Sequence, residues 1–311
     1  MTLSLHQSAG GAPAGALHTA SFRKRVGAYV LCGPFLLFLG VFSVLPAAST
    51  VVLALLDWPL AGGNARFTGL DSFRRVLGSE ELRQALVNTL LYSLFTVPAV
   101  TVLGLLIALT IHSVRRGKVF WRTVYFLPFA STLAAMSIVW KWMFYPERGL
   151  IDSTVGQLFG VTNWLSDSSL ALPAVALVGV WHQLGYAVVL FLSGLANVPT
   201  AHLEAARLDG ANAWHRFWHV QWPALGPTTV FAVVISTISA LRVYDTVALM
   251  TEGGPIGSTS TLSYELYRRG VFYQDISGGA VISIVLLGTV MLVTLVQMRS
   301  FGRRLSEAGA R

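Results

Sequence analysis

The stretch QALVNTLLYSLFTVPAVTVLGLLIALTIHSV, residues 84–114, contains no Asp, Glu, Lys or Arg. A helix that crosses the hydrocarbon core of a bilayer needs roughly 20 consecutive, mostly apolar residues, and this run is longer than that. The stretch therefore predicts a membrane-spanning helix and indicates that lipid is the solvent for at least part of the chain.

Five further runs also lack charged side chains: 26–56, 123–140, 168–203, 217–241 and 276–298. The composition agrees with them, since 54% of the residues are apolar, 12% are charged and the mean hydropathy is +0.63. Soluble domains carry about 25% charged residues. The sequence predicts an all-α membrane protein with six transmembrane helices, near 28–55, 85–111, 122–144, 170–196, 228–250 and 276–298.

The two ends of the chain are predicted to be tails of this membrane domain, which covers 28–298. Residues 1–27 begin with a segment rich in Ala, Gly, Ser and Thr, and this composition predicts a disordered tail. Residues 299–311 form a second, shorter tail. A cleaved signal peptide is the alternative at the start, but its apolar region has 7–15 residues, and the run 26–56 is longer.

The distribution of basic residues predicts the orientation. If the N-terminus is inside, the inner segments with Arg122 carry 13 Lys and Arg against three acids, and the outer segments carry eight against ten. Lys and Arg favour the cytoplasmic side, so both tails are predicted to be cytoplasmic. The net charge of +8 is thus a signal of topology, and no basic and aromatic pattern indicates a nucleic-acid partner.

Between the fourth and fifth apolar runs lies the polar segment HLEAARLDGANAWHRFW, residues 202–218. Residues 200–208 are good helix formers, Pro199 suits the first turn of a helix, and Gly210 is a natural stop. A second short helix is predicted over 212–221, with Trp214, Phe217 and Trp218 on one face. Pro223 and Pro227 are predicted to end it and to start the fifth span.

This segment therefore predicts an elbow of two short helices at the cytoplasmic membrane surface. One alternative is an amphipathic loop that only packs on lipid, which leaves the small residues after Glu204 unexplained. Another is a metal site formed by His215 and His219, four residues apart, but no further ligands are placed beside them.

Several motifs, in this order, resemble those of the permeases of ATP-binding-cassette (ABC) importers. The elbow carries Glu204-Ala205-Ala206, two residues, and Asp209-Gly210-Ala211, as in the EAA loop of that family. The other motifs are GLDSFRRVL (69–77), FWRTVYFLPF (120–129), WKWMFYPERGLID (140–152), GLANVP (194–199) and MTEGGPIGSTSTLSYELY (250–267). Over 28–298 the chain is similar to the sugar permeases of the maltose and glycerol-phosphate type, which have the type I importer fold.

The resemblance implies a transport subunit of the bacterial inner membrane rather than an enzyme. It implies a second homologous permease, two copies of an ABC ATPase subunit and an extracytoplasmic solute-binding protein as partners. The EAA loop, 197–227, would dock on the ATPase through Glu204, Ala205, Ala206, Asp209 and Gly210. ATP and Mg would be bound by the ATPase, and no cofactor is expected in this chain, which also lacks the phosphate-binding motif G-x-x-x-x-G-K-[ST].

Four polar residues within the predicted spans are candidates for a translocation pathway. Ionisable groups in a span usually face the bundle interior or a water path, and His182, Gln183, Arg242 and Asp245 meet this description. Arg242 and Asp245, three apart on the predicted fifth helix, are also placed to form a structural ion pair.

Two further features have structural interpretations. Gly253-Gly254-Pro255 and the following Ser/Thr run predict a tight outer turn, which either seats two helices or contacts the solute or the binding protein. Four aromatic side chains are typical of an interfacial belt, although aromatic rings also stack on sugars: Trp140, Trp142, Tyr145 and Trp164.

The solute stays open at this stage. A carbohydrate is expected, and glycerol 3-phosphate or a glycerophosphodiester is the alternative within the same architecture. From another class, an ion-coupled secondary transporter would need acidic relay residues within spans, and only Asp245 qualifies. An intramembrane enzyme would need a clustered nucleophile and base, or metal ligands, for which the predicted spans contain too few His and Asp residues.

Overall fold

The computed structural model describes residues 31–58, 65–114 and 116–309. The main helices within them are α1 (Leu31–Ala54), α2 (Asp71–Leu77), α3 (Glu80–Ser113), α4 (Lys118–Ala130), α5 (Leu133–Met143), α6 (Ala171–Ala196), α7 (Thr200–Leu208), α8 (Ala213–Ala224), α9 (Gly226–Leu241), α10 (Leu262–Tyr267) and α11 (Ile276–Gly309). A π-helical turn, Asp152–Gly156, and Gln157–Phe159 form a further short helical segment, and another π-helical turn, Arg268–Phe272, follows α10. Two short strands, β1 (Leu56–Asp57) and β2 (Arg66–Phe67), pair antiparallel. The predicted tail 1–27 lies outside the described residues, whereas most of 299–311 continues α11.

The chain divides into two compact units, one up to Val52 and one from Leu53 onward. The first contains most of α1, which includes a π-helical turn at Gly40–Val44. The hydroxyls of Ser49 and Thr50 donate to carbonyls one turn earlier, so these polar groups are satisfied within the helix, as a span in lipid requires.

In the second unit, α6 is the central helix, and α3, α4 and α9 pack against it. Gly185 is the point of closest approach between α4 and α6. A methyl group added there would lie 3.0 Å from the Cα of Phe126 and would overlap the carbonyl oxygen of Tyr125. Because any side chain at position 185 would push the backbone of α4 away, glycine fixes the distance between these two helices.

The predicted third span, 122–144, is not one continuous helix. It consists of α4 and α5, which are bent by 93° at Ser131 and Thr132. Pro128 cannot donate a backbone hydrogen bond, and the Ser131 hydroxyl and amide both donate to its carbonyl, at 2.6 and 3.2 Å. These bonds give the Pro128 carbonyl, at the end of α4, hydrogen-bond partners within the turn. The chain is therefore able to change direction there.

The predicted fifth span, 228–250, is not one continuous helix, and the prediction is wrong for the residues after Leu241. The helix α9 ends at Leu241, residues 242–244 are not helical, and a π-helical turn follows at Val247–Thr251. The Thr261 hydroxyl donates to the carbonyl of Val243 at 3.0 Å, which satisfies a backbone group that the break leaves without a helical partner. At the other end of α9, the chain bends by 67° between α8 and α9.

Within the described residues, four helices are individually long and apolar enough to span a membrane: α1, α3, α6 and α11. Counting each bent pair, α4 with α5 and α8 with α9, as one span gives up to six. The prediction of a helical protein with several spans is confirmed.

The Gly253-Gly254-Pro255 segment and the residues after it are fastened to the start of α3. The Asn88 amide donates to the carbonyls of Gly257 and Ser260, both at 2.9 Å, and the Leu262 amide donates to the Thr89 hydroxyl at 2.9 Å. These contacts join positions about 170 apart in the chain. The residues that follow the tight turn are therefore fixed to the start of α3, and the predicted seating of the fifth and sixth helices by the turn stays a prediction.

A buried carboxylate near this turn is neutralised by two arginines. Glu265 is 1% exposed, and its oxygens lie 2.7 Å from Arg268 and 3.6 Å from Arg269. Arg269 also lies 3.7 Å from Glu81 on α3. Since an unpaired buried charge is strongly destabilising, this cluster ties α10 to α3.

Candidate functional site

The first helix of the elbow is α7, and its end explains the glycine. Gly210 has φ +80°, a conformation that L side chains rarely adopt. The Ala211 amide donates to the Ala206 carbonyl at 2.9 Å, and the Gly210 amide donates to the Arg207 carbonyl at 3.1 Å. This pair of bonds is the Schellman motif, which reverses the chain immediately after α7.

The second helix, α8, begins within two residues of that turn. Asn212 is its N-cap and accepts a hydrogen bond from the His215 amide at 2.9 Å. The Arg216 guanidinium donates to the carbonyl of Ala211 at 2.6 Å, which locks the connection between the two helices. The elbow is therefore held by its own backbone and side chains.

The two faces of α8 carry different residue types, as the sequence predicts. Trp214 meets Trp218 edge to face at 5.5 Å, and Trp218 meets Trp222 in the same way at 5.8 Å. His215 and His219 stack on each other at 5.8 Å.

The helix α8 runs to Ala224, beyond the predicted end at 221. Pro223 therefore lies inside its last turn rather than after it.

Most of the residues predicted to contact an ATPase are accessible. Glu204, Ala205, Asp209 and Gly210 are exposed, and Ala206 is half-buried. Leu208, which the sequence analysis did not single out, is 90% exposed.

All four pathway candidates line one cavity, which we call the central cavity. Its volume is about 330 Å³, and its wall includes His182, Gln183, Arg242 and Asp245. His182 projects from α6 towards the break between α4 and α5, where its Nε2 lies 3.3 Å from the carbonyl oxygen of Ser131. The structure thus brings together residues from two predicted spans that are 60 positions apart.

The predicted ion pair between Arg242 and Asp245 is not formed: within the described residues, Asp245 has no basic partner within 4.0 Å and Arg242 has no acidic one. The prediction assumed a continuous helix, in which residues three apart share a face. Arg242 instead follows the last turn of α9, and the break before Asp245 removes that relation. Both side chains still reach the central cavity.

Sequence reasoning missed other wall residues of this cavity. Tyr92, Phe129, Gly179 and Ser239 also line it. Tyr92 and Gly179 lie inside apolar runs and look like ordinary lipid-facing positions. The tyrosine itself was the one signal in the sequence that could have identified Tyr92 as a candidate wall residue, because a buried hydroxyl needs a hydrogen-bond partner.

For metal binding, the described part of the chain contains no cluster of three or more His, Cys, Asp or Glu side chains. The two histidines make local hydrogen bonds instead: His215 Nδ1 donates to Asn212 Oδ1 at 2.9 Å, and His219 Nδ1 donates to the His215 carbonyl oxygen at 3.0 Å.

Membrane-spanning helices, a polar cavity within them and an exposed elbow beside them define the permease component of a transport system. Residues 83–307 match the family described as binding-protein-dependent transport system inner membrane components, and the chain belongs to this family. It is a permease of an ABC importer, a multi-pass protein of the bacterial inner membrane and a transport subunit rather than an enzyme.

Relatives and solved structures agree with this assignment. The chain is 30% identical over 291 residues to the sn-glycerol-3-phosphate transport system permease protein UgpA of Agrobacterium fabrum, with 93% of this chain and 99% of that protein covered. It is 32% identical over 285 residues to UgpA of an Escherichia coli strain, with 89% and 95% covered. The same fold occurs in a bacterial alginate ABC transporter in complex with an alginate pentasaccharide-bound periplasmic protein, with a TM-score of 0.78, 18% identity, and 92% of this chain and 97% of that chain covered.

Proposed function

We propose that the chain crosses the membrane six times within 28–298 and that both tails are cytoplasmic. Each bent pair then counts as one span, which gives the six-span total. The excess of Lys and Arg in the segments that this arrangement places inside supports the orientation. In this topology the elbow faces the cytoplasm, and the turn at Gly253–Pro255 faces outward.

The elbow, within 197–227, is proposed to dock on an ABC ATPase subunit. The exposure of Glu204, Ala205 and Asp209, together with the rigid turn at Gly210, supports this role. Two ATPase copies are proposed, one for this chain and one for a second homologous permease. They bind the ATP and Mg, and no cofactor resides in this chain.

The central cavity is proposed to be part of the translocation pathway, with His182, Gln183, Arg242 and Asp245 facing the solute. The observation that carries this proposal is the convergence of four polar residues from α6 and the broken fifth span on one cavity. Polar groups there cost free energy unless they face water, a partner or a ligand. The extracytoplasmic binding protein is proposed to deliver the solute from the outer side.

The proposed solute is a carbohydrate or a glycerol phosphate. Relatives named as sn-glycerol-3-phosphate permeases favour the second. Arg242 also favours a glycerol phosphate, because a guanidinium group can form two parallel hydrogen bonds with a phosphate. Within the described residues, Arg242 has no acidic partner that would compete for it. A neutral sugar would use Gln183 and His182 as hydrogen-bonding groups instead.

Uptake in cells that express the complete transporter distinguishes the two solutes. We expect sn-glycerol 3-phosphate to be taken up, and Arg242→Gln to lower that uptake roughly tenfold, since charge-assisted hydrogen bonds contribute about 1.5–3 kcal/mol. Arg148→Gln, an exposed outer arginine that does not line the central cavity, serves as the control. Uptake of maltose but not of sn-glycerol 3-phosphate, unchanged by Arg242→Gln, would indicate the carbohydrate.

A further inference from the structure

A second cavity, larger than the central one, lies among segments that the proposed topology places outside, and we call it the outer cavity. Its volume is about 390 Å³, within the range of roughly 300–1,000 Å³ typical of small-molecule sites. The end of α5, residues 165–166 and the segment 250–255 form its wall. The sequence analysis placed Tyr145 in an aromatic belt and Gly254 and Pro255 in a tight turn, and it left contact with the solute open for both features.

The wall of the outer cavity combines aromatic, apolar and hydrogen-bonding groups. Phe144 and Tyr145 line it together with Lys141, Ser166 and Thr251. Ligand sites generally have such a composition, with apolar and aromatic surface for contact area and a few polar groups for orientation. An aromatic ring beside hydroxyl and ammonium groups suits a polyhydroxylated molecule, whose ring carbons are apolar and whose hydroxyls both donate and accept.

Lys141 supplies a charged hydrogen-bond donor in this wall. Its Nζ atom lies 3.6 Å from an oxygen of Glu252, which does not line the cavity, and the two side chains are 45% and 74% exposed. An exposed pair of this kind contributes little to stability. An ammonium group donates only, so Lys141 is able to donate to the hydroxyl oxygens of a solute.

Tyr145 is an accessible aromatic residue in the wall of the outer cavity. It is 53% exposed and stacks on Trp142 at 6.2 Å. The remaining predicted belt residues divide into two kinds. Trp142 is 71% exposed, whereas Trp140 and Trp164 pack against the core. Tyr145 is therefore the accessible ring that the outer cavity offers to a ligand.

The outer and central cavities are built on the same two segments. Helix α5 contributes Leu133 to the central cavity and Lys141 to the outer one, and the chain after α9 contributes Arg242 and Asp245 to the central cavity and Met250 to the outer one. An aromatic contact connects the two walls. Trp140 lies 5.9 Å from Phe144 and 5.3 Å from Trp181, the neighbour of His182.

We propose that the outer cavity is a solute-binding subsite, in which Tyr145 and Lys141 hold a polyhydroxylated solute after its release by the binding protein and before it reaches the central cavity. The proposal rests on the proposed function, because it requires solute to move from the outer side towards His182 and Arg242. It adds a site that the central cavity alone does not provide. Its ligand is recognised through hydroxyl groups, so a sugar and a glycerol phosphate both fit.

The test uses the complete transporter reconstituted in proteoliposomes, with its binding protein and with radiolabelled maltose and sn-glycerol 3-phosphate as probes. Uptake and ATP hydrolysis are measured in the same vesicles for Lys141→Met and Tyr145→Leu. Matched controls are Arg148→Met and Tyr273→Leu, which alter exposed outer residues that do not line the outer cavity. We expect each cavity variant to lower the solute moved per ATP at least threefold, about the effect of losing one aromatic or hydrogen-bonding contact.

The remaining readouts separate the possible outcomes. Unchanged stimulation of ATP hydrolysis by the binding protein, together with reduced uptake in the cavity variants alone, supports the subsite. Normal uptake in both cavity variants overturns it. A raised half-saturating concentration of binding protein, with uptake and hydrolysis falling together, also overturns it, since the surface would then dock the protein rather than the solute. If the wild-type transporter takes up neither probe, the proposed solute class fails instead.

Discussion

Gly210→Val is expected to abolish ATP-driven uptake while the protein still inserts and folds. Gly210 has φ +80° and open space around its Cα, so the substitution meets no neighbour and acts only through the backbone. A β-branched residue in this region costs about 1–3 kcal/mol, and the turn is expected to relieve that strain by opening. Because the angle between α7 and α8 sets the docking surface, ATPase association should fall roughly tenfold or more.

Gly117→Val is the matched control for this prediction. Gly117 also has φ +80°, also has no atom within 4 Å of an added Cβ and also precedes a helix in a segment proposed to be cytoplasmic. Pull-down of the ATPase and ATP turnover in reconstituted membranes are measured for both variants. If Gly210→Val docks and hydrolyses ATP like the wild type, the elbow is a surface loop without a coupling role.

Gly185→Val is expected to have the second large effect, by a different route. Its side chain would collide with backbone atoms of Tyr125 and Phe126 on α4, which cannot rotate away as a side chain could. Overpacking of this kind costs about 1–3 kcal/mol or more. Since α4 carries Phe129 and is followed directly by Ser131, whose carbonyl oxygen contacts His182, its displacement also deforms the central cavity.

The measurement is the thermal stability of the purified complex in detergent, followed by uptake in proteoliposomes. The control is Gly288→Val, because Gly288 lies within the membrane helix α11 and an added Cβ there meets nothing within 4 Å. We expect a lower melting temperature and lost uptake for Gly185→Val only. Equal stability of the two variants would contradict the tight α4–α6 packing.

Hydropathy located the membrane helices well where one helix makes the whole crossing. The predicted spans 170–196 and 85–111 correspond to α6 (Ala171–Ala196) and α3 (Glu80–Ser113). The elbow was also predictable, since helix-forming residues, a glycine and an aromatic face each have a local physical meaning. These features depend on residues close together in the chain.

The breaks in the third and fifth spans could not be predicted in the same way. An apolar run indicates that a segment faces lipid or a protein core. It does not indicate whether the helix is continuous or bent. Pro128 indicated a kink, but the 93° bend also depends on the Ser131 cap. The break after Leu241 involves Thr261, which lies 18 residues after Val243 and donates to its carbonyl.

The central cavity shows the consequence for site prediction. His182, Gln183, Arg242 and Asp245 were found because polar residues are rare in spans, and their convergence follows from the fold. The ion pair predicted from helical spacing failed for the same reason that the fifth span failed, because α9 ends at Leu241 and residues 242–244 are not helical. Tyr92, buried at 1% exposure, became a candidate only when its neighbours were known.

The energy source for uptake tests the central claim most directly. Proteoliposomes that contain this chain, its partner permease and the ATPase are loaded with ATP and Mg, given solute-loaded binding protein outside, and compared with vesicles that hold a proton or sodium gradient without ATP. The account predicts solute accumulation only with internal ATP and only when this chain is present. Accumulation driven by the ion gradient in the absence of ATP would contradict it.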